Sequence, residues 1–264
     1  MKVYVGTDIE GVAGVVSFRP QAYPDGKYYE GAKRLLTAEV NAAVTAMLEE
    51  GAEDILVCDG HGPGGIVFEE LHPEAKLLHG RPLGIRAVRN EIVRTYDVCM
   101  MIGQHAMAGV ATGNMNHTQS SQSIDSYALN GKPIGEIAQF ALCQGALGLP
   151  MIFLSGDEAA CAEAEELIPG VTTASVKKGV GRNAAISLSA AKAREKVGDG
   201  VRVALRRHRD KPLEPLVWDP PFVLEKRFFH TDTADAAEAH PFAERVDAQT
   251  VRYRADNILD IIYA

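Results

Sequence analysis

No apolar stretch in this 264-residue chain approaches the roughly 20 residues of a membrane-spanning helix, which removes that class of protein at the outset. Cysteine is scarce. Cys58, Cys99, Cys143 and Cys161 lie far apart without Cys-x-x-Cys spacing, so neither a disulfide framework nor a zinc-thiolate centre is expected, and all four read as small buried hydrophobes. Basic charge is short too. The 27 lysines and arginines face 35 acidic residues, a net charge of −8, which leaves no broad cationic surface for phosphates or anionic lipid. Neither nucleic acid nor a membrane is an expected partner. The chain reaches Gly6, Asp8 and Glu10 almost at once, leaving no room for the apolar region of a secretion signal, and a cytoplasmic location is the expectation. Internal repeats and low-complexity tracts are absent. The glycine-rich run after His61 lacks the Lys-Ser/Thr ending of a phosphate-binding loop. Gly179-Val180-Gly181-Arg182-Asn183-Ala184 fits the loose dinucleotide fingerprint with Asp199 downstream, but it falls late in the chain and its strand ends two lysines earlier, which weighs against a nucleotide role.

What is present suits a globular protein that folds without a partner or staple. Hydrophobic residues make up 46% and charged residues 23%, enough for one large domain or two unequal ones with a sizeable core. Short, unbroken apolar runs at 3–5, 55–58, 98–102 and 151–154, each followed by glycine or polar residues, are the pattern of strands buried on both faces of a parallel sheet. Leu35, Leu36, Val40, Val44, Met47 and Leu48 recur at helical spacing between the first two runs, and Gly51 ends that helix, giving a βαβ unit. Asn130-Gly131 predicts a tight hairpin, followed by a helix over about 135–147. Another helix over 157–168 has Asp157 as its N-cap, a further strand spans 171–176, and a helix over 189–209 carries a weak point at 198–200. Pro212, Pro215, Pro220 and Pro221 then break the chain. The expectation is a three-layer α/β/α core with a mostly parallel sheet over residues 1–210, and a smaller C-terminal α+β subdomain over 211–264 that acts as a lid or in oligomerisation.

Asp8 and Glu10 stand two residues apart where the first strand ends, at the edge where open α/β folds bind ligands. Residues i and i+2 of an extended chain point the same way, and converging carboxylates repel unless a cation lies between them. An isolated Asp-x-Glu more often caps a loop, so the chain must supply further support. Asp59-Gly60-His61 follows the second strand and Gly103-Gln104-His105 the third, so three strands deliver metal-competent side chains to one edge. Glu136 begins the helix after the hairpin, where complementing the helix dipole explains it equally well. His117 lies in the polar loop Asn114-Met115-Asn116-His117-Thr118, a natural place for a catalytic group. His72, His79, His208, His230 and His240 read as surface residues. Lys177, Lys178 and Arg182 could hold a substrate carboxylate, although a solvated loop explains them more simply.

Two acids, two imidazoles and a third possible acid exceed the needs of one tetrahedral zinc. Shared between two ions they favour amide or ester hydrolysis, with His117 as the remaining proton donor or acceptor.

Together these residues resemble the DppA-type zinc-dependent D-aminopeptidases. The family's Asp-x-Glu-Gly is matched by Asp8-Ile9-Glu10-Gly11, its Asp-x-His by Asp59-Gly60-His61, and its Gly-x-His-Ala by Gly103-Gln104-His105-Ala106. Asn116-His117-Thr118 and Pro133-Ile134-Gly135-Glu136 match its remaining site motifs, and the similarity extends over residues 1 to about 195. Gln104 stands where an aromatic is familiar and Asn116 where a serine is. The resemblance implies two zinc ions per subunit, with Asp8 bridging, Glu10 and His61 completing one ion, and His105 and Glu136 the other. It implies His117 as the catalytic side chain, removal of an N-terminal residue, D-Ala by preference, from short peptides or amides, and a ring-shaped homo-oligomer, a decamer. Carboxylate and imidazole ligands suit manganese and cobalt as well. The alternatives are a two-metal amidohydrolase acting on another small amide, and a non-catalytic peptide-binding component of dipeptide transport.

Overall fold

The computed structural model describes all of residues 1–264. Seven strands form the main sheet, in the order β3-β2-β1-β4-β7-β8-β9. The apolar runs supply β1 (Lys2–Thr7), β2 (Asp54–Asp59), β4 (Val98–Gln104) and β7 (Met151–Asp157), all parallel and nearly all buried along their length. β3 (Lys76–Leu78) extends one edge in parallel, and β8 (Thr172–Gly181) lies parallel to β7. β9 (Ala184–Ser187) turns back antiparallel to β8 and closes the other edge.

Alternation along each strand sorts the core into two layers. Val3, Val5, Ile55, Val57, Met100 and Ile102 face the long helices α2 (Tyr29–Glu49) and α6 (Ala190–Asp210). Tyr4, Leu56, Cys58, Cys99 and Met101 face the other side, with α4 (Glu136–Ala146) and α5 (Glu158–Leu167). α3 (Arg86–Val93) adds Val93 to this second layer. All four cysteines are buried and free, as expected. The expected three layers are therefore present. The Asp157 cap is also present, its side chain accepting from Ala160 N at 2.8 Å.

The expected weak point in α6 is absent, because the helix runs unbroken from Ala190 to Asp210. Its glycine has a packing role: a Cβ on Gly200 would lie 2.6 Å from the Phe153 ring, so only glycine lets α6 approach β7 this closely. The loose dinucleotide fingerprint lies across the β8–β9 hairpin and opens no helix, which removes the geometry a nucleotide would need.

A second sheet has the order β11-β12-β10-β5-β6. β10 (Phe222–Phe228), β11 (Ala243–Arg245) and β12 (Thr250–Ala255) come from the C-terminal segment, with α7 (Thr231–Ala237) and α8 (Ile258–Ile261) between and after them. β5 (Ile124–Leu129) and β6 (Lys132–Pro133) are the predicted Asn130-Gly131 hairpin, and β5 pairs antiparallel with β10. The small sheet thus takes two of its strands from the residues before 210. α4 joins the two units: Ile137 and Phe140 pack on the main sheet, while Ala138 and Leu142 pack under the small one.

Chain direction reverses between β1 and β4. From β1 the chain runs outward to β2 and β3, then crosses back to β4 on the other side of β1. In open α/β sheets such a reversal leaves a crevice at the carboxyl ends of the strands.

Candidate metal centre

The residues bordering that crevice come from both sides of the reversal. Asp8 N donates to Ile102 O at 2.9 Å and Gly11 N to Gly103 O at 2.7 Å, which holds the segment after β1 against the end of β4. The approach is so close that a Cβ on Gly11 would lie 2.0 Å from Gln104 O, and one on Gly103 2.1 Å from Asp8 O. Gly103 also has φ +79°, open to glycine at little cost.

Asp8, Glu10, His61, His105 and His117 are all buried, and Glu136 nearly so. They fall into two groups whose ligand atoms lie within 4.8 Å of one another: Asp8 with Glu10 and His61, and His105 with His117 and Glu136. Asp8 links the groups. Its Oδ1 lies 3.3 Å from His61 Nδ1, and its Oδ2 lies 3.1 Å from His105 Nε2. Glu10 Oε2 is 3.0 Å from His61 Nδ1, and Glu136 Oε1 is 3.3 Å from His105 Nε2 and 3.7 Å from His117 Nε2.

Backbone carbonyls fix each imidazole. His61 Nε2 donates to Ala22 O at 2.8 Å, His105 Nδ1 to Ala106 O at 2.9 Å, and His117 Nδ1 to Met115 O at 2.9 Å. The opposite nitrogen of each ring therefore turns a lone pair toward carboxylate oxygens, and metal-ligating histidines are usually oriented in this way by a hydrogen bond from their other nitrogen. A lone pair facing a carboxylate needs a proton or a metal ion between them. Glu10 Oε2 and His105 Nε2 are buried and have no partner of hydrogen-bond geometry, as expected of atoms oriented toward a metal. This donor set fits zinc.

Electrostatics point the same way. Burial opposes charge on His61, but the Glu10 and Asp8 carboxylates outweigh it and push its pKa up to about 11. Burial likewise opposes charge on His105, which Glu136 and Asp8 raise well above the usual histidine range. Burial would raise Asp8, yet the His105 and His61 imidazoles facing its two oxygens hold it well below the carboxylate range. The centre strongly favours positive charge. His117 differs: burial and then the neighbouring His105 lower its pKa, so it stays neutral. Its ring stacks on that of His105, with centroids 3.9 Å apart and planes 16° from parallel.

All six predicted site residues thus converge. Several supporting residues do not follow from the sequence. Lys177, expected in a solvated loop, is a buried residue of β8 whose ammonium donates to the carbonyls of Glu10 and Val15. Arg182 is exposed, as expected, with its guanidinium 4.8 Å over the Phe18 ring. Asp59 is no ligand: its carboxylate accepts from Gly65 N at 2.8 Å and folds the glycine-rich loop beside His61. Arg81 donates to the carbonyls of Asp59, His61 and Gly62 and fastens the same loop from outside. Asp157 accepts from Asn114 N at 2.8 Å and so anchors the loop of His117. Gln104 points Nε2 at Asp8 Oδ2, 3.5 Å away, and Asn116 donates to Gly113 O at 2.8 Å, so both departures from the family pattern are accommodated within the site. A cavity of about 860 Å³ lies over the centre, and Asp8, Glu10, His61, His117 and Glu136 are among its lining residues.

The sequence profile of a peptidase family described as D-aminopeptidase matches residues 1–264. A D-aminopeptidase of Bacillus subtilis (strain 168) is 31% identical over 274 residues, covering 100% of this chain and 95% of the relative. Among solved structures, that of a "Zn-dependent D-aminopeptidase DppA from Bacillus subtilis, a self-compartmentalizing protease" is similar with a TM-score of 0.89 and 29% identity, covering 99% of this chain and 94% of that one. Matched along its whole length by the family profile and by a relative of nearly equal extent, this chain belongs to the D-aminopeptidase family of peptidases.

Proposed function

We propose that the protein is a dinuclear zinc aminopeptidase that removes the N-terminal residue, D-Ala by preference, from short peptides or amides. The observation that carries the two-ion reading is Asp8, whose two oxygens face two different imidazoles at 3.3 and 3.1 Å. In this reading Asp8 bridges, Glu10 and His61 complete one site, and His105 and Glu136 complete the other. Two zinc ions bound there would lower the pKa of a water held between them and polarise the scissile carbonyl. His117 takes the proton released by the attacking water on Nε2 and delivers it to the leaving amine. Its neutral state suits the first step, and the Met115 carbonyl holding Nδ1–H keeps Nε2 turned toward the site.

A second reading makes His117 a zinc ligand, favoured by its clustering with His105 and Glu136. The stacked geometry on His105 supports the proton carrier instead, because a ring parallel to a ligating imidazole points its nitrogen past the same ion. We further propose that residues 211–264 act as a lid or in oligomerisation, and that the enzyme works in the cytoplasm as a closed homo-oligomer, a decamer. The self-compartmentalising relative supports an enclosed assembly. No helix is long and apolar enough to cross a membrane.

Dialysed protein assayed on the para-nitroanilides of D-Ala and L-Ala, with and without added zinc, tests the activity. Zinc-dependent release from the D substrate is the expected result. No turnover of either, with metal content near zero, would overturn the enzymatic reading and leave a peptide-binding role.

A further inference from the structure

The same cavity extends across the face of the main sheet covered by α3 and α4, where Arg89 and Tyr263 line its wall. Arg81 of that cavity is saturated by backbone carbonyls, but the Arg89 guanidinium has neither an ion pair nor a hydrogen bond. The Tyr263 hydroxyl is likewise without a partner. Around them the wall is neutral, formed by Tyr4, Cys58, Phe140 and Cys143. A guanidinium facing such a wall, with no anion of its own, keeps its full capacity for one, and its planar fork matches a carboxylate.

The placement relative to the metal centre is also informative. Glu136, Tyr263 and Arg89 all line this one cavity, so its wall runs from the metal centre to the phenol and the guanidinium. The position of Tyr263 is fixed by the packing of the C-terminal segment: Arg86 donates to Leu259 O at 3.0 Å and Gln139 to Ile262 O at 2.7 Å.

We infer that Arg89, together with the Tyr263 hydroxyl, holds the C-terminal carboxylate of a short peptide substrate, so that the enzyme prefers free peptides to substrates that lack a carboxylate. This rests on the aminopeptidase reading and deepens it, because it favours free peptides over amides.

The test compares kcat/KM for D-Ala-D-Ala and its C-terminal amide in zinc-loaded wild-type enzyme and in Arg89→Gln, Arg89→Lys and Tyr263→Phe, with the zinc content of each variant measured. The wild type should prefer the free acid by roughly tenfold or more, the scale of one charge-assisted contact. Arg89→Gln should abolish that ratio, mainly through KM for the acid; Arg89→Lys should restore part of it; Tyr263→Phe should lower it about threefold. A wild type indifferent to the carboxylate, or an Arg89→Gln that lowers both substrates by one factor, would overturn the assignment. The wild-type ratio requires no variant and so survives a failure of Arg89→Gln to fold. Turnover of neither substrate by the wild type would bring down the aminopeptidase reading itself, whereas turnover with a ratio of one overturns only the role of Arg89.

Discussion

The ammonium of Lys177 donates to the carbonyl oxygen of Glu10, tying strand β8 of the main sheet to the loop that carries the first two acids of the metal centre. The same nitrogen reaches Val15 O, and burial lowers its pKa to about 8. Lys177→Met keeps the side-chain volume but strands two buried carbonyls, at a cost of about 1–3 kcal/mol. The expected outcome is a lower melting temperature together with weaker zinc binding, read by thermal unfolding and zinc titration. An unaltered zinc isotherm would show that the lysine does not position Glu10.

The three histidines should separate by what they lose. His61→Ala and His105→Ala remove nitrogens that face two carboxylates each, and should purify with depleted zinc. His117→Ala should retain zinc and lose about 100-fold or more in kcat, the usual scale of a general acid–base. Elemental analysis alongside steady-state kinetics decides; equal zinc loss in all three would make His117 a ligand.

Asp157 serves two loops with one carboxylate, capping α5 through Ala160 N and holding the His117 loop through Asn114 N, both at 2.8 Å. Asp157→Ala should cost about 1 kcal/mol for the cap and a further 1–3 kcal/mol for the unpaired Asn114 N–H. Activity should fall more than zinc content does, since the loop it frees carries His117. Differential scanning calorimetry and kinetics on one preparation would show whether the two losses part.

Glu39 on α2 is fully buried, and burial pushes its pKa up to about 7 although Oε1 accepts from Ala13 N at 3.0 Å. An acid raised on folding binds its proton more tightly in the folded than in the unfolded chain, so stability falls as pH rises from about 4.5 through 7. Glu39→Gln keeps an acceptor for Ala13 and removes the ionisation. The variant should gain on the wild type by about 2–3 kcal/mol between pH 5 and pH 8. Urea midpoints across that range measure it, and parallel profiles would contradict the assignment.

Much of the site was legible in one dimension because of how parallel sheets are built. Each buried strand is a continuous apolar run, its carboxyl end is marked by the first polar residues, and all such ends share one edge. Asp8, Glu10, His61 and His105 follow from that rule alone. Glu136 could be read equally well as dipole complementation, and in the structure it does both, beginning α4 and facing His105. Lys177 was missed because a lysine next to a second lysine and a glycine reads as solvated. Nothing local says that its strand runs beneath the first loop. The C-terminal strands were visible, but their pairing with the 124–133 hairpin was not, since antiparallel partners about 100 residues apart leave no mark on either segment.

By itself the sequence determined the element types, the strand ends and the chemical character of the centre, because hydrophobic period and residue type act over a few neighbouring positions. Only the tertiary structure decided the strand order, the close contact of Gly11 with Gln104, the division of the Asp8 carboxylate between two imidazoles, and the facing of Arg89 and Tyr263 into the same cavity. Those depend on which distant segments pack together, a choice made by the burial of whole faces and by backbone pairing across the chain.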